Sequence, residues 1–266
     1  MDAITSKVSA ARAALRAARR TIQVFGASGG VTAIYALVGL ANGFDQAAAA
    51  RWTRRWAAAL TRGFDLRVQV TGAPPEGGAL VVSNHRSYVD IIALGSLVEA
   101  CFIAKAEIAR WPLLGPTFRV SSTIFVDRGA PDSGRRVRDQ VTDRLGRGLS
   151  IINFSEGTTH GGTGLLPFKP GLYHTVRGMD IPIVPTTVTY SGMEERVEWI
   201  GDDTFLDHFL RLAGHSNGTA HVHFGKPLRA DDFATADELL SEVRRRMLQD
   251  LSPREEIDPA DYPELA

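Results

Sequence analysis

The chain has 266 residues and a mass of 28.8 kDa, enough for one large domain or two small ones with a sizeable buried core. Its 44% apolar and 23% charged residues exclude a collagen-like or wholly disordered protein. A single cysteine, Cys101, excludes an internal disulfide framework and a thiolate metal cluster. Because 30 basic residues balance 30 acidic ones, the global charge gives no reason to expect a nucleic-acid partner.

Charge is distributed unevenly along the chain. Residues 1–67 contain Lys7 and nine arginines against three carboxylates, whereas residues 229–266 contain five arginines and eleven carboxylates. Basic sequence beside an apolar segment favours binding to the anionic lipids of a membrane surface.

The N-terminal region, residues 1–64, is predicted to be helical and membrane-associating. Residues 1–20 form a basic amphipathic helix whose weak apolar face consists of Val8, Ala11, Leu15 and Ala18. Residues 21–44 are uncharged and, at about 1.5 Å per residue, long enough to cross a bilayer. Because five glycines interrupt this stretch, we favour a re-entrant or interfacial helix pair over a full span, with a buried core hairpin as the alternative. A cleaved signal peptide fits poorly because the charged part before the apolar stretch is too long.

A second helix is predicted over residues 46–62. It is rich in alanine, and its Trp52 and Trp56 lie four residues apart among several arginines. Tryptophan beside arginine is typical of an anchor at the membrane interface.

From residue 65 the sequence alternates between short β-rich runs and helical stretches, which is typical of an α/β layer architecture. We predict a mixed sheet flanked by helices over residues 65–251, followed by an acidic, proline-containing tail over residues 252–266. The strands fall near residues 66–70, 79–83, 102–104, 124–126, 150–154, 181–190 and 220–224. The helices fall near residues 90–99, 113–120, 134–147, 172–177, 204–212 and 236–251.

His85 and Asp90 form the first candidate for chemistry. His85 directly follows a buried strand and Asp90 begins the next helix, so a strand-to-helix turn can bring the two side chains together. The aspartate can then fix the imidazole tautomer while the histidine takes a proton from a hydroxyl. The alternative is that Asp90 only caps the helix and His85 is a turn residue.

Three further segments accompany the one that runs from Asn84-His85 to Asp90. They are Ile124-Phe125-Val126-Asp127-Arg128, Phe154-Ser155-Glu156-Gly157-Thr158 and Ile183-Val184-Pro185-Thr186. Together the four segments resemble the motifs of the glycerolipid acyltransferase family in order and spacing, and the first resembles the family's H-x4-D signature. The stretch from Phe102 to Glu107, with Pro112 and Gly115 behind it, also fits the family between its first two motifs. The resemblance covers approximately residues 67–228.

The resemblance implies a role for each matched residue. His85 would be the general base and Asp90 its orienting partner. The polar headgroup of the acceptor would be bound by Asn84, Arg128, Glu156, Gly157 and Thr158, with Lys105 and Lys169 as second-rank cations. A structural ion pair of Arg128 with Asp127 or Glu156 is the alternative for that arginine.

The implied reaction transfers an acyl chain from a thioester to the hydroxyl of a lysophospholipid. Acyl coenzyme A or acyl carrier protein would be the donor, no metal or other cofactor would be needed, and the enzyme would lie on the cytosolic face of the cytoplasmic membrane. The expected acceptor is 1-acylglycerol-3-phosphate, giving phosphatidate. In the third motif, however, Thr159-His160 replaces the family's common Arg-Ser, so another lysolipid such as lyso-ornithine lipid is the alternative acceptor. The second motif also lacks its usual leading glycine, having Ser121-Ser122-Thr123 instead.

Several competing interpretations rest on isolated patterns. Residues 26–30 match the nucleophile elbow G-x-S-x-G of serine hydrolases around Ser28, but no sheet strands precede them. His221 and His223 could chelate a metal from one strand face, although a solvated or packed face is favoured. Cys101 lies in an apolar run and is interpreted as a core residue. A membrane adaptor that has lost its activity is the remaining class.

Overall fold

A mixed, eight-stranded sheet forms the centre of the computed structural model, which describes residues 2–111, 114–162, 164–201, 203–215 and 218–251. The predicted tail and Pro112 lie outside these residues. The strand order is β1-β7-β6-β2-β5-β3-β4, with β8 paired to β6. The strands are β1 Arg67–Thr71, β2 Leu80–Ser83, β3 Ala100–Lys105, β4 Ile124–Val126, β5 Ser150–Phe154, β6 Pro182–Ser191, β7 Thr219–Phe224 and β8 Leu228–Arg229. The predicted fold class is confirmed.

Strands β2, β3, β4, β5 and β6 run parallel to one another. Strand β7 pairs antiparallel with β6 and parallel with β1, which makes the sheet mixed. Every residue of β2 and β5 is buried, as expected for central parallel strands covered on both faces. All seven predicted strands are present, and the two-residue β8 is too short for any sequence pattern to mark.

Helices cover both faces of the sheet. Helices α5, α6 and α9 pack against one face, where Leu80, Val82 and Cys101 are buried. Helices α2, α3 and α8 lie on the other side, where Val81 and Ile152 are buried. The helices are α1 Asp2–Asn42, α2 Gln46–Gly63, α3 Tyr88–Leu97, α4 Gly115–Val120, α5 Ser133–Gly146, α6 Gly171–Val176, α7 Glu194–Val197, α8 Phe205–Ala213 and α9 Ala236–Asp250. Cys101 is a core residue, as predicted, and burial raises the pKa of its thiol.

Helix α1 is continuous over 41 residues, so the predicted helix pair within residues 21–44 is wrong. A helix tolerates isolated glycines when its packing compensates for their lower helix propensity. A Cβ added at Gly26, Gly29 or Gly30 would meet no neighbouring atom, so these glycines are not needed for close packing. The chain turns only at Gly43, which has a φ of +83°, and α2 then begins after Asp45. The Asp45 carboxylate caps α2 by accepting hydrogen bonds from the first backbone N–H groups of that helix.

One face of α1 packs on the folded domain. Arg20, Val24, Ser28 and Tyr35 are buried at spacings of four and seven residues, and the indole N–H of Trp56 donates to Ser28 Oγ at 2.9 Å. Ser28 therefore lies in the middle of a helix and not on a strand-to-helix elbow, so the serine hydrolase interpretation is wrong. Trp56 is likewise a buried core residue and not an interface anchor.

The opposite face of α1 is apolar and exposed. Leu15, Ile22, Leu37 and Leu40 are each at least 67% exposed. Within the residues described, Lys7–Asn42 is the one helical stretch long and apolar enough, by length and composition, to cross a membrane. Such a face is consistent with a membrane-docking region.

Candidate active site

The carboxyl ends of the parallel strands carry most of the predicted site residues. His85 and Glu156 follow the adjacent strands β2 and β5, Lys105 ends β3, and Arg128 follows β4. Parallel strands end at the same side of a sheet, and ligands of open α/β sheets bind there. The topology therefore brings together three motifs that are separated in sequence.

His85 and Asp90 are in direct contact. The imidazole Nδ1 lies 2.8 Å from Asp90 Oδ2, and the ring stacks on Phe154 with the ring centres 3.9 Å apart. Asp90 is fully buried, whereas His85 is 17% exposed. With Nδ1–H donating to the carboxylate, Nε2 is the imidazole nitrogen that can accept a proton from a substrate.

Asp90 also caps helix α3. Ser87 is the N-cap residue, and its backbone N–H donates to Asp90 Oδ2 at 2.9 Å while the N–H of Arg86 donates to the same oxygen at 2.6 Å. Capping the helix and orienting the histidine were alternatives in the sequence, but the geometry provides both at once. The catalytic roles of His85 and Asp90 remain predictions.

Tyr190, on β6, completes the surroundings of Asp90. Its hydroxyl donates to Asp90 Oδ1 at 2.5 Å. Burial and the adjacent carboxylate of Asp90 raise the pKa of Tyr190 well above its ordinary value, so the phenol stays protonated. Sequence reasoning missed this residue because Tyr190 lies 100 positions from Asp90 and outside all four motifs.

Glu156 makes its contacts within the protein, and its predicted contact with the headgroup stays a prediction. Its carboxylate is fully buried; Oε1 accepts the backbone N–H of His85 at 2.9 Å and Oε2 accepts that of Leu166 at 2.8 Å. His160 Nε2 lies 2.5 Å from Oε2. Because the chain itself occupies both oxygens, Glu156 holds the backbone of the turn that carries His85.

Arg86 lies beside Glu156 and is only 5% exposed. Arg86 Nη1 lies 3.9 Å from Glu156 Oε1 and 2.6 Å from His160 Nε2. The same nitrogen donates to the carbonyl of His85 at 3.3 Å. Arg86 Nη2 donates to the carbonyl of Gly164 at 2.7 Å. The peptide groups flanking His85 are thus held on both sides by a buried cation and a buried anion. Sequence reasoning missed Arg86, which stands at a variable position of the H-x4-D signature.

Asn84 is also fully buried, and its amide is occupied by the backbone of β6. It donates to the carbonyl of Val188 at 2.9 Å and accepts the N–H of Val188 at 2.7 Å. These two bonds tie the end of β2 to β6. They give Asn84 a structural role, and its predicted contact with the headgroup stays a prediction.

Two of the three predicted cations, Arg128 and Lys169, lie beside Gly157. Arg128 is exposed, and its Nη2 donates to the carbonyl of Gly157 at 2.5 Å. Gly157 has a φ of +76°, and a Cβ there would lie 3.1 Å from Arg128 Nη2 and 3.6 Å from Lys169 Cγ. Arg128 and Lys169 therefore approach Gly157 closely, and Lys105 lies at the end of β3 opposite Val126 of β4. Thr158, next in the chain, is nearly buried.

Thr159 and His160, the two departures from the third motif, make internal contacts. The Thr159 hydroxyl donates to the carbonyl of Trp199 at 2.7 Å. His160 is fully buried between Glu156 and Arg86. Where the family commonly has a cation, this chain has a hydroxyl that holds the segment carrying Trp199.

An aromatic cluster flanks the turn that carries His85 and was not foreseen from the sequence. Trp199 donates its backbone N–H to the carbonyl of Arg86 at 2.9 Å, and its ring centre lies 5.7 Å from that of Tyr88 in the first turn of α3. Trp111 and Phe205 pack against Trp199, and the buried His208 stacks on it. Burial lowers the pKa of His208, which favours its neutral form.

His221 and His223, the candidate metal ligands on β7, contact different neighbours. His221 Nε2 lies 2.7 Å from Ser191 Oγ, and His223 Nδ1 lies 2.8 Å from Thr71 Oγ1. Each ring thus has its own polar neighbour on an adjacent strand.

A mixed sheet that carries a histidine–aspartate pair and an exposed arginine beyond the carboxyl ends of its parallel strands is the arrangement expected from the resemblance to glycerolipid acyltransferases. A family model described as Acyltransferase matches residues 67–189. The lyso-ornithine lipid O-acyltransferase of Pseudomonas aeruginosa is 33% identical over 190 residues, which cover 70% of this chain and 73% of that protein. The chain belongs to this acyltransferase family and is an O-acyltransferase, which confirms the resemblance seen in the sequence.

Other relatives differ in how much of the chain they cover. The lyso-ornithine lipid O-acyltransferase of Brucella abortus is 29% identical over an alignment that covers 71% of this chain and 75% of that protein. The 1-acyl-sn-glycerol-3-phosphate acyltransferase of Neisseria gonorrhoeae is 33% identical, but the alignment covers 47% of this chain and 50% of that protein. The crystal structure of the 1-acyl-sn-glycerophosphate acyltransferase PlsC of Thermotoga maritima matches 90% of this chain and all of that one, with a TM-score of 0.59 and 20% identity, which shows a shared fold.

Proposed function

We propose that the protein transfers an acyl chain from a thioester to the free hydroxyl of a lysolipid, with lyso-ornithine lipid as the favoured acceptor and 1-acylglycerol-3-phosphate as the second candidate. The observation that carries the proposal is the contact of 2.8 Å between His85 Nδ1 and the buried carboxylate of Asp90, at the carboxyl end of the sheet. An imidazole whose tautomer is fixed by a hydrogen-bonded carboxylate is an arrangement that supports general-base catalysis.

His85 acts first as a base and then as an acid. Its Nε2 accepts the hydroxyl proton while the hydroxyl oxygen attacks the thioester carbonyl, and the bond from Nδ1–H to Asp90 stabilises the imidazolium that forms. The tetrahedral intermediate then collapses, the carbon–sulfur bond breaks, and the thiolate takes the proton back from His85. The products are an ester and a free thiol. General acid–base catalysis of this kind contributes about 10²- to 10⁴-fold to the rate.

The choice of acceptor rests on the third motif. Thr159 donates to the carbonyl of Trp199 and His160 is buried, so neither offers a cation to a phosphate. Arg128 remains exposed beside Gly157, and its planar fork suits the single carboxylate of an ornithine headgroup as well as a phosphate oxygen pair. The names of the relatives from Pseudomonas and Brucella, which cover most of this chain, support the same acceptor.

The acyl donor is acyl coenzyme A or acyl carrier protein. The exposed apolar side chains of α1 dock on the cytosolic side of the cytoplasmic membrane. Exposed lysine and arginine side chains of the N-terminal 67 residues then lie against anionic lipids. Lipid acceptors then reach the site from the bilayer. Higher salt should weaken vesicle binding, because the attraction between exposed charges is screened.

Thiol release from an acyl thioester tests the proposal. The purified protein is given acyl coenzyme A or acyl carrier protein with lyso-ornithine lipid, lysophosphatidate or lysophosphatidylcholine, and the His85→Ala variant is the control. We expect release that depends on lyso-ornithine lipid and on His85. A preference for lysophosphatidate would move the acceptor and keep the mechanism, whereas full activity of His85→Ala would refute the mechanism.

A further inference from the structure

We propose that Tyr190 is a positioning residue of the reaction and acts through Asp90, so that Tyr190, Asp90 and His85 form one hydrogen-bonded chain. This inference rests on the proposed catalytic roles of His85 and Asp90. The observation behind it is the bond of 2.5 Å from the Tyr190 hydroxyl to Asp90 Oδ1, the oxygen that does not contact His85.

The sheet fixes where Tyr190 lies. Thr186 of β6 is in register with Ser83, the last residue of β2, so Tyr190 lies four residues further towards the carboxyl end of the sheet. The two bonds between Asn84 and Val188 lock this register one residue before His85 and two residues before Tyr190. The phenol is therefore set against the carboxylate by the rigid part of the fold.

The two oxygens of Asp90 have different partners. Oδ2 accepts three hydrogen bonds, from His85 Nδ1 and from the backbone N–H groups of Arg86 and Ser87. Oδ1 accepts the hydroxyl of Tyr190. Asp90 is fully buried, so an Oδ1 without this donor would be an unsatisfied acceptor beside the reacting imidazole. The phenol fixes the rotation of the carboxylate and withdraws some of its negative charge.

Tyr190→Phe removes this hydroxyl and leaves the ring. We expect kcat to fall on the order of tenfold, because a carboxylate that is free to rotate no longer holds the imidazole in line with the substrate hydroxyl, while KM for both substrates stays within about twofold. The acidic limb of the kcat/KM profile should move to higher pH. The reason is that a carboxylate that has lost a donor stabilises the imidazolium more strongly.

A double-mutant cycle with Asp90→Asn separates action through Asp90 from a general structural effect. If Tyr190 acts through Asp90, Tyr190→Phe changes the rate much less in the Asp90→Asn background than in the wild type. Tyr173→Phe is the matched control, since Tyr173 is fully buried and its hydroxyl contacts Ser155 Oγ at 3.1 Å. That control should keep the wild-type pH profile.

Three outcomes decide the matter. The inference is supported by a lower kcat, a displaced acidic limb and loss of the effect beside Asp90→Asn. An unchanged pH profile, or equal rate losses in both backgrounds, overturns it even if His85→Ala is inactive, and the proposed mechanism then stands without Tyr190. An active His85→Ala overturns both, because no chain through Asp90 could then matter to the reaction. Thermal unfolding of each variant shows whether a lost rate reflects lost folding.

Discussion

Replacing Glu156 by glutamine tests whether this residue holds the catalytic turn or binds the headgroup. Glutamine keeps the shape but replaces one carboxylate oxygen with an NH₂ group, which must face either the N–H of His85 or that of Leu166. Losing a bond to a charged acceptor costs about 1.5–3 kcal/mol, and removing one partner of a buried ion pair costs about 3–5 kcal/mol. The Arg86–Glu156 contact is long, at 3.9 Å, and the Gly164 carbonyl still accepts from Arg86.

We therefore expect a loss where the two ranges meet, about 3 kcal/mol in the free energy of unfolding. At about 2–4 °C per kcal/mol for a domain of this size, Tm falls by about 6–12 °C. The turn that carries His85 loosens, so kcat falls by about a hundredfold, as expected for a displacement of about 1 Å, while the acceptor KM changes little.

Calorimetry and steady-state thiol release measure the two effects. Arg128→Ala is the control with the opposite signature, because Arg128 is exposed and proposed to contact the headgroup. A Glu156→Gln variant with wild-type Tm and kcat but a raised acceptor KM would refute the reasoning and restore the headgroup role that the sequence suggested.

Three further changes give distinct results. Arg128→Ala should raise the acceptor KM by about tenfold and leave Tm unchanged, as removal of an exposed charged contact does; an unchanged KM would place the headgroup elsewhere. Ser28→Ala should keep full turnover but lose about 1–2 kcal/mol of stability, measured by urea unfolding, because the buried indole N–H of Trp56 loses its acceptor. His208→Gln should flatten the pH dependence of Tm. Burial lowers the pKa of His208 in the folded protein, so below about pH 6.5 the unfolded chain binds more protons than the folded one. The stability of the wild type therefore falls as the pH drops below that value, and the variant lacks this loss. Parallel Tm curves for the two proteins would contradict the assignment to His208.

The sheet and the His85–Asp90 pair could be predicted because local sequence determines them. Strands buried on both faces appear as short apolar runs, and β2 and β5 are buried at every residue. His85 and Asp90 are five residues apart around one turn, so the pairing needs no knowledge of distant segments. The carboxyl-end rule for parallel strands then brings Arg128 to the same cleft.

The continuity of α1 and the contacts of buried motif residues depend on distant parts of the fold, which the local sequence does not contain. The glycines of α1 led us to predict a break in the helix. The helix is continuous because side chains such as Val24 and Tyr35 pack on the folded domain and stabilise it. The sequence of a motif also does not show which way each of its side chains points. Glu156 and Asn84 stand in or beside motif residues, but both turn inward to backbone groups that only the folded sheet supplies.

The third motif joins the proposed acceptor choice to the packing around His85. Thr159 stands where the family commonly has a cation and donates to the carbonyl of Trp199, whose backbone N–H in turn donates to the carbonyl of Arg86, next to His85. His160 fills the space between Arg86 and Glu156. A cation at either position would have to break contacts that support the turn carrying His85. The departure from Arg-Ser is therefore built into the packing around the active site, which is why we expect the acceptor preference to follow these two residues and not Arg128 alone.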